Sequence, residues 1–192
     1  MRTTRFRQTW TAIRALLILT VVLGIGYPAV VLGIGQLALP AQANGSLVSV
    51  DGEVVGSSLI GQTFEGDEWF QSRPSAAGDG YDGAASSGSN YGPENDDLIT
   101  AIEQRQAAIA EADHVDAAEI PADAVTASAS GLDPHISPEY ALLQVGRVAE
   151  ARGLDVETVR KLVEQHVQGR DLGYLGEPTV NVLELNIALA SL

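Results

Sequence analysis

From Ala15 to Val50 the chain carries no charged residue, and the first 21 residues of that run, Ala15 to Gly35, are almost wholly apolar. A helix rises about 1.5 Å per residue, so this part extends roughly 30 Å, the thickness of a bilayer's hydrocarbon core. Its two ends differ in charge. Arg2, Arg5, Arg7 and Arg14 precede or open it without an acid, whereas all 25 Asp and Glu residues follow Val50. Positively charged flanks stay on the cytoplasmic side, which holds the N-terminus in the cytoplasm and sends the remainder across the membrane. The expected layout is a basic cytoplasmic tail over 1–14, a transmembrane helix over 15–37 and an extracytoplasmic soluble domain over 38–192.

An Arg-rich start, an apolar run and the small-residue triplet Ala41-Gln42-Ala43 also describe a cleavable signal peptide. The apolar core of such a peptide spans only about 7 to 15 residues. This run is longer and carries Tyr27-Pro28 in its middle, so a retained anchor is the expectation. Within it Gly26, Ala29 and Gly33 recur at i, i+3 and i+7, a stripe of small residues that lets another helix approach closely in lipid. These three are the candidate helix-packing residues. The plainer reading is that glycine is common in membrane helices anyway.

Beyond the anchor, about 145 residues suffice for one domain with its own core. That part carries seven basic and 25 acidic residues, a net charge of −18. Such a surface repels nucleic acid and anionic lipid, so membrane lipid is expected as a partner of the anchor and nucleic acid is not expected at all. There is no cysteine, which excludes disulfides and thiolate metal sites.

The rest of the chain predicts an α+β fold. Ser46 to Val50 and Glu53 to Val55 flank Asp51-Gly52, and Asp-Gly between β-formers signals a hairpin, because a type I′ turn needs φ > 0 twice. Leu59 to Phe64 reads as a further strand or a short buried turn, and Trp69-Phe70 as core. Residues 73–93 are too rich in Gly and Ser for a regular element, although their aromatics and lone arginine favour an ordered loop. The apolar period over Asp96 to Ala112 predicts an amphipathic surface helix. Ser137-Pro138 reads as an N-cap with proline at the first helical position, opening a helix that runs to Gly153. Asp155 caps another, with Val156, Val159, Leu162, Val163 and Val167 facing inward and an end at Gly169. For Thr179 to Leu189 the pattern allows a strand, a helix from Asn181, or one followed by the other.

Serine, aspartate and histidine fall close together at Ser128, Ser130, Asp133, His135 and Ser137, and a hydrolase needs a nucleophile, a base and a carboxylate that orients the base. No Gly-x-Ser-x-Gly elbow accompanies them. Asp133, His135 and Ser137 read instead as turn chemistry, with Asp133-Pro134 opening a turn and Ser137 capping a helix. His114, His135 and His166 are too scattered for a zinc motif, and no glycine loop with Lys-Ser/Thr exists to cradle phosphates. Neither a catalytic set nor a metal site is expected.

Several blocks together resemble one family, the C subunit (KdpC) of the Kdp potassium-transporting ATPase. They are Tyr27-Pro28, Ala43 to Leu47, Gly56 to Gln62, Arg73 to Gly78, Ser87 to Asn90, Gly131 to Pro138, Arg152 to Leu154, Leu175 to Pro178 and Asn181 to Leu183. The blocks run in order along nearly the whole chain. Tyr91, Ala129, Gly146 and Thr179 stand where the family's pattern has Leu, Gly, Pro and Arg. The resemblance implies a single-pass subunit of the cell (inner) membrane, with potassium-translocating and ATP-hydrolysing subunits as partners. It implies a non-catalytic role: assembling or stabilising an ATP-driven, high-affinity potassium import complex, and acting as a catalytic chaperone that raises the ATP affinity of the ATPase subunit. No cofactor is expected on the chain alone; ATP enters through the complex. Since charge places the folded domain on the side away from ATP, any such effect is expected to be allosteric or to run through the anchor and basic tail. The competing classes are a membrane-anchored extracytoplasmic hydrolase and an anchored scaffold protein.

Overall fold

The computed structural model describes residues 2–192. Helix α1 (Arg2–Val21) passes through one π-helical turn, Val22–Gly26, into α2 (Tyr27–Ala38). Pro28 explains the widened turn. It has no N–H for the carbonyl four residues back, and its ring crowds that carbonyl, so the turn just before it absorbs the misfit. From Phe6 to Ala38 the helix is continuous over 33 residues, with a mean hydropathy of 2.4 in its most apolar stretch. Helix therefore begins well upstream of Ala15 and takes in the basic segment. Leu16, Leu17, Ile18 and Leu19, four consecutive residues that between them face every side of a helix, all lie uncovered. A helix apolar all round and covered by nothing of its own chain is the form a membrane span takes. Its end is tied off locally: a short helix α3 (Pro40–Ala43) follows, and the Gln36 and Asn44 side-chain amides exchange two hydrogen bonds of 3.2 Å.

Two compact units meet in sequence between Leu47 and Val48. The hairpin of β1 (Leu47–Val50) and β2 (Glu53–Ser57) turns through Asp51 and Gly52, at φ of 53° and 86°, the doubly left-handed turn that Asp-Gly favours. Residues 58–64 form no strand; they turn through a single bridge between Ser57 and Ile60. A long irregular stretch then leads to α4 (Asp96–Asp113), whose N-cap Asn95 accepts from the N–H groups of Asp97 and Leu98. A 3₁₀ turn, Ala117–Glu119, and the short α5 (Ala122–Val125) follow.

The C-terminal third builds the core. Strand β3 (His135–Ile136) and strand β4 (Val167–Gln168) flank β5 (Thr179–Asn181) in an antiparallel sheet, with Val180 opposite both Ile136 and Val167. Helices α6 (Pro138–Leu143), α7 (Val145–Arg152), α8 (Val156–Gln165) and α9 (Val182–Ala190) supply most of its buried side chains, among them Val145, Val148, Val159, Val163, Leu185 and Leu189. Phe70 from the irregular stretch is fully buried with them, while Trp69 packs at the edge under the Arg152 guanidinium, 4.3 Å from its ring centre.

Two expectations change here, and one alternative left open is settled. The helix opened by Ser137 breaks at Gln144, which is fully buried and holds its side chain on another segment rather than along a helix surface. The Asp155-capped helix stops at Gln165, so Val167 lies in β4 at 37% exposure and Val156 in the first turn is 43% exposed; neither faces the core. Valine suits strand and helix face alike, and its identity alone does not separate them. The C-terminal stretch is strand followed by helix: Asn181 ends β5 and its side chain accepts from the N–H of Glu184 to cap α9.

Candidate functional site

The turn at residues 131–138 is where loop 73–90 is held. Gly131 has φ of 67°, and a Cβ there would lie 2.6 Å from the carbonyl oxygen of Ser87 and 2.7 Å from the nitrogen of Ala77, so only glycine fits. Gly61 and Gly88 also make close approaches, where a Cβ would lie 2.6 Å from the Asp133 carbonyl oxygen and 2.9 Å from that of Ala129. Ser75 Oγ donates to the Gly131 carbonyl at 2.6 Å and accepts from the N–H groups of Ala77 and Tyr81, while Ser87 N–H donates to the Ser130 carbonyl. Glycines that admit backbone against backbone, together with hydroxyls that satisfy it, give a Gly- and Ser-rich loop a fixed path without a hydrophobic core of its own.

Asp133 sits at the centre of this turn. One carboxylate oxygen pairs with the Arg73 guanidinium at 3.0 Å; the other accepts the backbone N–H of His135 at 3.0 Å and lies 3.5 Å from the His135 Nδ1. Burial alone would push this carboxyl up, but the His135 ring and N–H and the Arg73 charge outweigh it and hold the carboxyl below its ordinary value. Ser137 stands apart from them: its N–H and Oγ both donate to Asp123, at 2.7 and 2.9 Å, while its Oγ accepts from Tyr140 N–H. The hydroxyls of Ser128 and Ser130 accept backbone N–H groups of Gly131 and Leu132. Among the described residues no serine hydroxyl hydrogen-bonds to His135, and no group of three or more His, Cys, Asp or Glu is placed to hold a metal. His166 Nδ1 lies 2.7 Å from the Leu162 carbonyl, and His114 caps α4 in the left-handed region, both far along the chain from His135.

Gly26 closes the π-helical turn, and Ala29 and Gly33 lie on α2; Gly26 and Ala29 are exposed, Gly33 is half-buried, and a Cβ at Gly33 would meet nothing within 4 Å. The stripe is therefore open to whatever surrounds the helix.

Sequence reasoning missed a second polar cluster. Asn186, on α9, accepts the N–H and donates to the carbonyl of Phe70, each at 2.9 Å. Gln144 does the same for Gln71, at 2.6 and 3.2 Å. Each amide imitates a strand partner for one residue. Arg147 adds donors to the carbonyls of Asp67 and Trp69, and its Nε pairs with Asp113 at 2.8 Å, both side chains being almost wholly buried. For Asp113 the cost of burial exceeds what Arg147 returns, and its carboxyl is pushed up. The signal available in sequence was the amide inside an apolar run, Leu185-Asn186-Ile187 and Leu143-Gln144-Val145.

Comparison with known proteins matches this architecture to one family. The family model for KdpC, described as "K+-transporting ATPase, c chain", covers residues 9–191. The chain belongs to the KdpC family. A potassium-transporting ATPase KdpC subunit of Kineococcus radiotolerans is 57% identical over 189 residues, covering 98% of this chain and 96% of that one. The KdpC subunit of Mycobacterium tuberculosis is 51% identical, with 95% and 97% covered, and that of Nitratidesulfovibrio vulgaris 52%, with 95% of each. The match to the KdpC model runs through both the apolar helix and the 131–138 turn, so neither is an appendage to the family's fold.

Proposed function

We propose that this chain is the non-catalytic accessory subunit of an ATP-driven potassium import complex, assembling or stabilising it and acting on its ATPase subunit as a catalytic chaperone. The observation that carries the reading is a KdpC match over residues 9–191 that takes in a helix covered by nothing of its own chain. Such a helix finds its packing in lipid and in other subunits. In this reading residues 1–14 are a cytoplasmic tail, 15–37 the span and 38–192 an outer domain, an orientation supported by four arginines before the apolar run and 25 acids after it. Gly26, Ala29 and Gly33 are the face on which a partner helix packs. Asp133, His135 and Ser137 shape the turn that fixes loop 73–90 rather than carrying out chemistry. With the folded domain away from the cytoplasm, the effect on ATP affinity travels through the span and tail.

Cells lacking this subunit and dependent on high-affinity uptake provide the test. Growth at limiting potassium returns with the whole chain and barely with residues 45–192 alone. Full uptake by the remaining subunits without any of this chain would overturn the proposal.

A further inference from the structure

A cavity of about 410 Å³ opens between loop 73–81, helix α4 and the start of α6. Its walls include the guanidinium-bearing Arg73 and Arg105, the aromatic rings of Phe64, Tyr81 and Tyr140, and Ile109. No carboxylate lines it among the described residues. That is unexpected in a part of the chain whose net charge is −18 and where acids outnumber bases 25 to seven. Four of the seven basic side chains there, Arg73, Arg147, Arg160 and Arg170, are paired with carboxylates. Arg105 is not: among the described residues its one partner is the Val125 carbonyl, 2.8 Å from a terminal nitrogen.

Donors are left over at the same place. Arg73 gives one terminal nitrogen to Asp133 and the other to the Thr126 carbonyl, yet its Nε is buried with no acceptor. Tyr140 is only 3% exposed as a residue, and its hydroxyl, which is not sealed from solvent, makes no hydrogen bond among the described residues. A buried donor without an acceptor costs about 1 to 3 kcal/mol, so the unsatisfied Arg73 Nε points to something that satisfies it. The Arg105 guanidinium, the left-over Arg73 Nε and a phenol beside aromatic and aliphatic walls suit one chemical class. A planar carboxylate meets such donors in a bidentate fashion, and an apolar body behind it covers the rings.

We infer that this cavity is a binding site for a small organic carboxylate with an apolar or aromatic body, held by Arg105, Arg73 and the Tyr140 hydroxyl. The site is distinct from the helix face and from the Asp133 turn, although Arg73 borders both the turn and the cavity. Its ligand neutralises the Arg105 charge that the protein's own acids leave unpaired.

Titration calorimetry of the full-length chain in detergent, with sodium benzoate as the probe and sodium acetate and inorganic phosphate as comparisons, tests the assignment. Benzoate should bind saturably below about 10 mM and more tightly than acetate. Arg105→Gln should weaken it about tenfold, the loss of a charge-assisted hydrogen bond. Tyr140→Phe keeps the ring and removes only the unpartnered hydroxyl, so it should weaken benzoate about threefold while leaving the melting temperature of the free chain unchanged. Lys161→Gln, an exposed cation away from the cavity, should change nothing. Absence of saturable benzoate binding, or binding indifferent to both Arg105→Gln and Tyr140→Phe, would overturn the inference. Phosphate bound more tightly than benzoate through Arg105 would overturn the ligand class.

Discussion

The helix from Phe6 to Ala38 and the five-residue segment from Asp67 to Gln71 stand at opposite limits of what holds a backbone in place. The helix satisfies almost every backbone group within itself and leaves its apolar side chains uncovered. The segment satisfies almost nothing within itself: its backbone is met by Gln144, Arg147, Arg152 and Asn186, reaching in from 73 to 116 residues away in sequence. The helix needs no contact with the rest of its chain to form and needs a surrounding apolar medium to be stable. For the segment the order of dependence is reversed, since it has no preferred conformation and takes one only where the folded domain presents matched donors and acceptors. A substitution in the first should therefore be felt by partners, and a substitution at the second by the chain itself.

The largest break in that contrast is expected at Asn186. Replacing it with Leu keeps the branched outline of the side chain but leaves the buried N–H and carbonyl of Phe70 without partners. Two unsatisfied groups at about 1 to 3 kcal/mol each give a loss near ~3 kcal/mol, a large fraction of a domain's stability. Chemical denaturation of the detergent-solubilised full chain measures it. A loss below about 1 kcal/mol would mean that water replaces the amide and that the segment is not held as described.

The next effect separates two glycines with nearly the same backbone. Gly131 and Gly153 have φ of 67° and 66°, so alanine is strained at both, at about 1 kcal/mol. Only at Gly131 does a Cβ also strike backbone, whereas at Gly153 it meets nothing within 4 Å. Gly131→Ala should cost about 2 to 3 kcal/mol and Gly153→Ala about 1, and equal losses would show that loop 73–90 moves aside freely.

Why one region was legible in sequence and the other was not follows from where the information lies. The apolar run, Asp51-Gly52 and Ser137-Pro138 each act on neighbours within a few residues, and the span, the hairpin turn and the α6 cap all appear where those signals stand. Asn181 was ambiguous because it does two things, closing a strand and capping a helix. Gly131 was readable as a turn residue, but not as the point against which Ser87 and Ala77 pack. Gln144 and Asn186 carry no local signal of their role, since their partners are distant in sequence and are backbone atoms that any residue carries. The same holds for Arg73: its approach to Asp133 joins residues 60 apart.

A smaller effect carries a pH signature. The Asp133 carboxyl is held below its ordinary value of 3.8, so the folded chain binds fewer protons there than the unfolded chain as pH falls. Its contribution is present above about pH 3.8 and lost as pH drops through the lower folded value. Asp113 has the opposite sign: pushed up, it favours folding at low pH and loses that contribution as pH rises through its raised value. Asp133→Asn should thus cost about 1 kcal/mol at neutral pH, with the gap to the unsubstituted chain narrowing in acid. Melting curves from pH 3 to pH 7 read it, and a gap that stays constant over that range would refute the carboxylate's role in the turn.

The smallest effect on the chain itself is expected on the membrane helix, where the comparison is sharpest. Gly33→Leu adds a side chain into space that nothing in this chain occupies, and at Gly26 an added Cβ would sit 3.7 Å from the Val21 carbonyl, an ordinary contact. Leucine favours both helix and lipid over glycine, so the doubly substituted chain should insert and melt as before, within about 0.5 kcal/mol. What it loses is the close backbone approach that small residues permit in lipid. Co-purification of the other subunits should fall, whereas Val31→Leu, on the opposite side of α2, should leave it intact. If both variants co-purify equally well, the assigned face is wrong; if the Gly26 and Gly33 variant melts earlier on its own, the helix depends on its own chain after all.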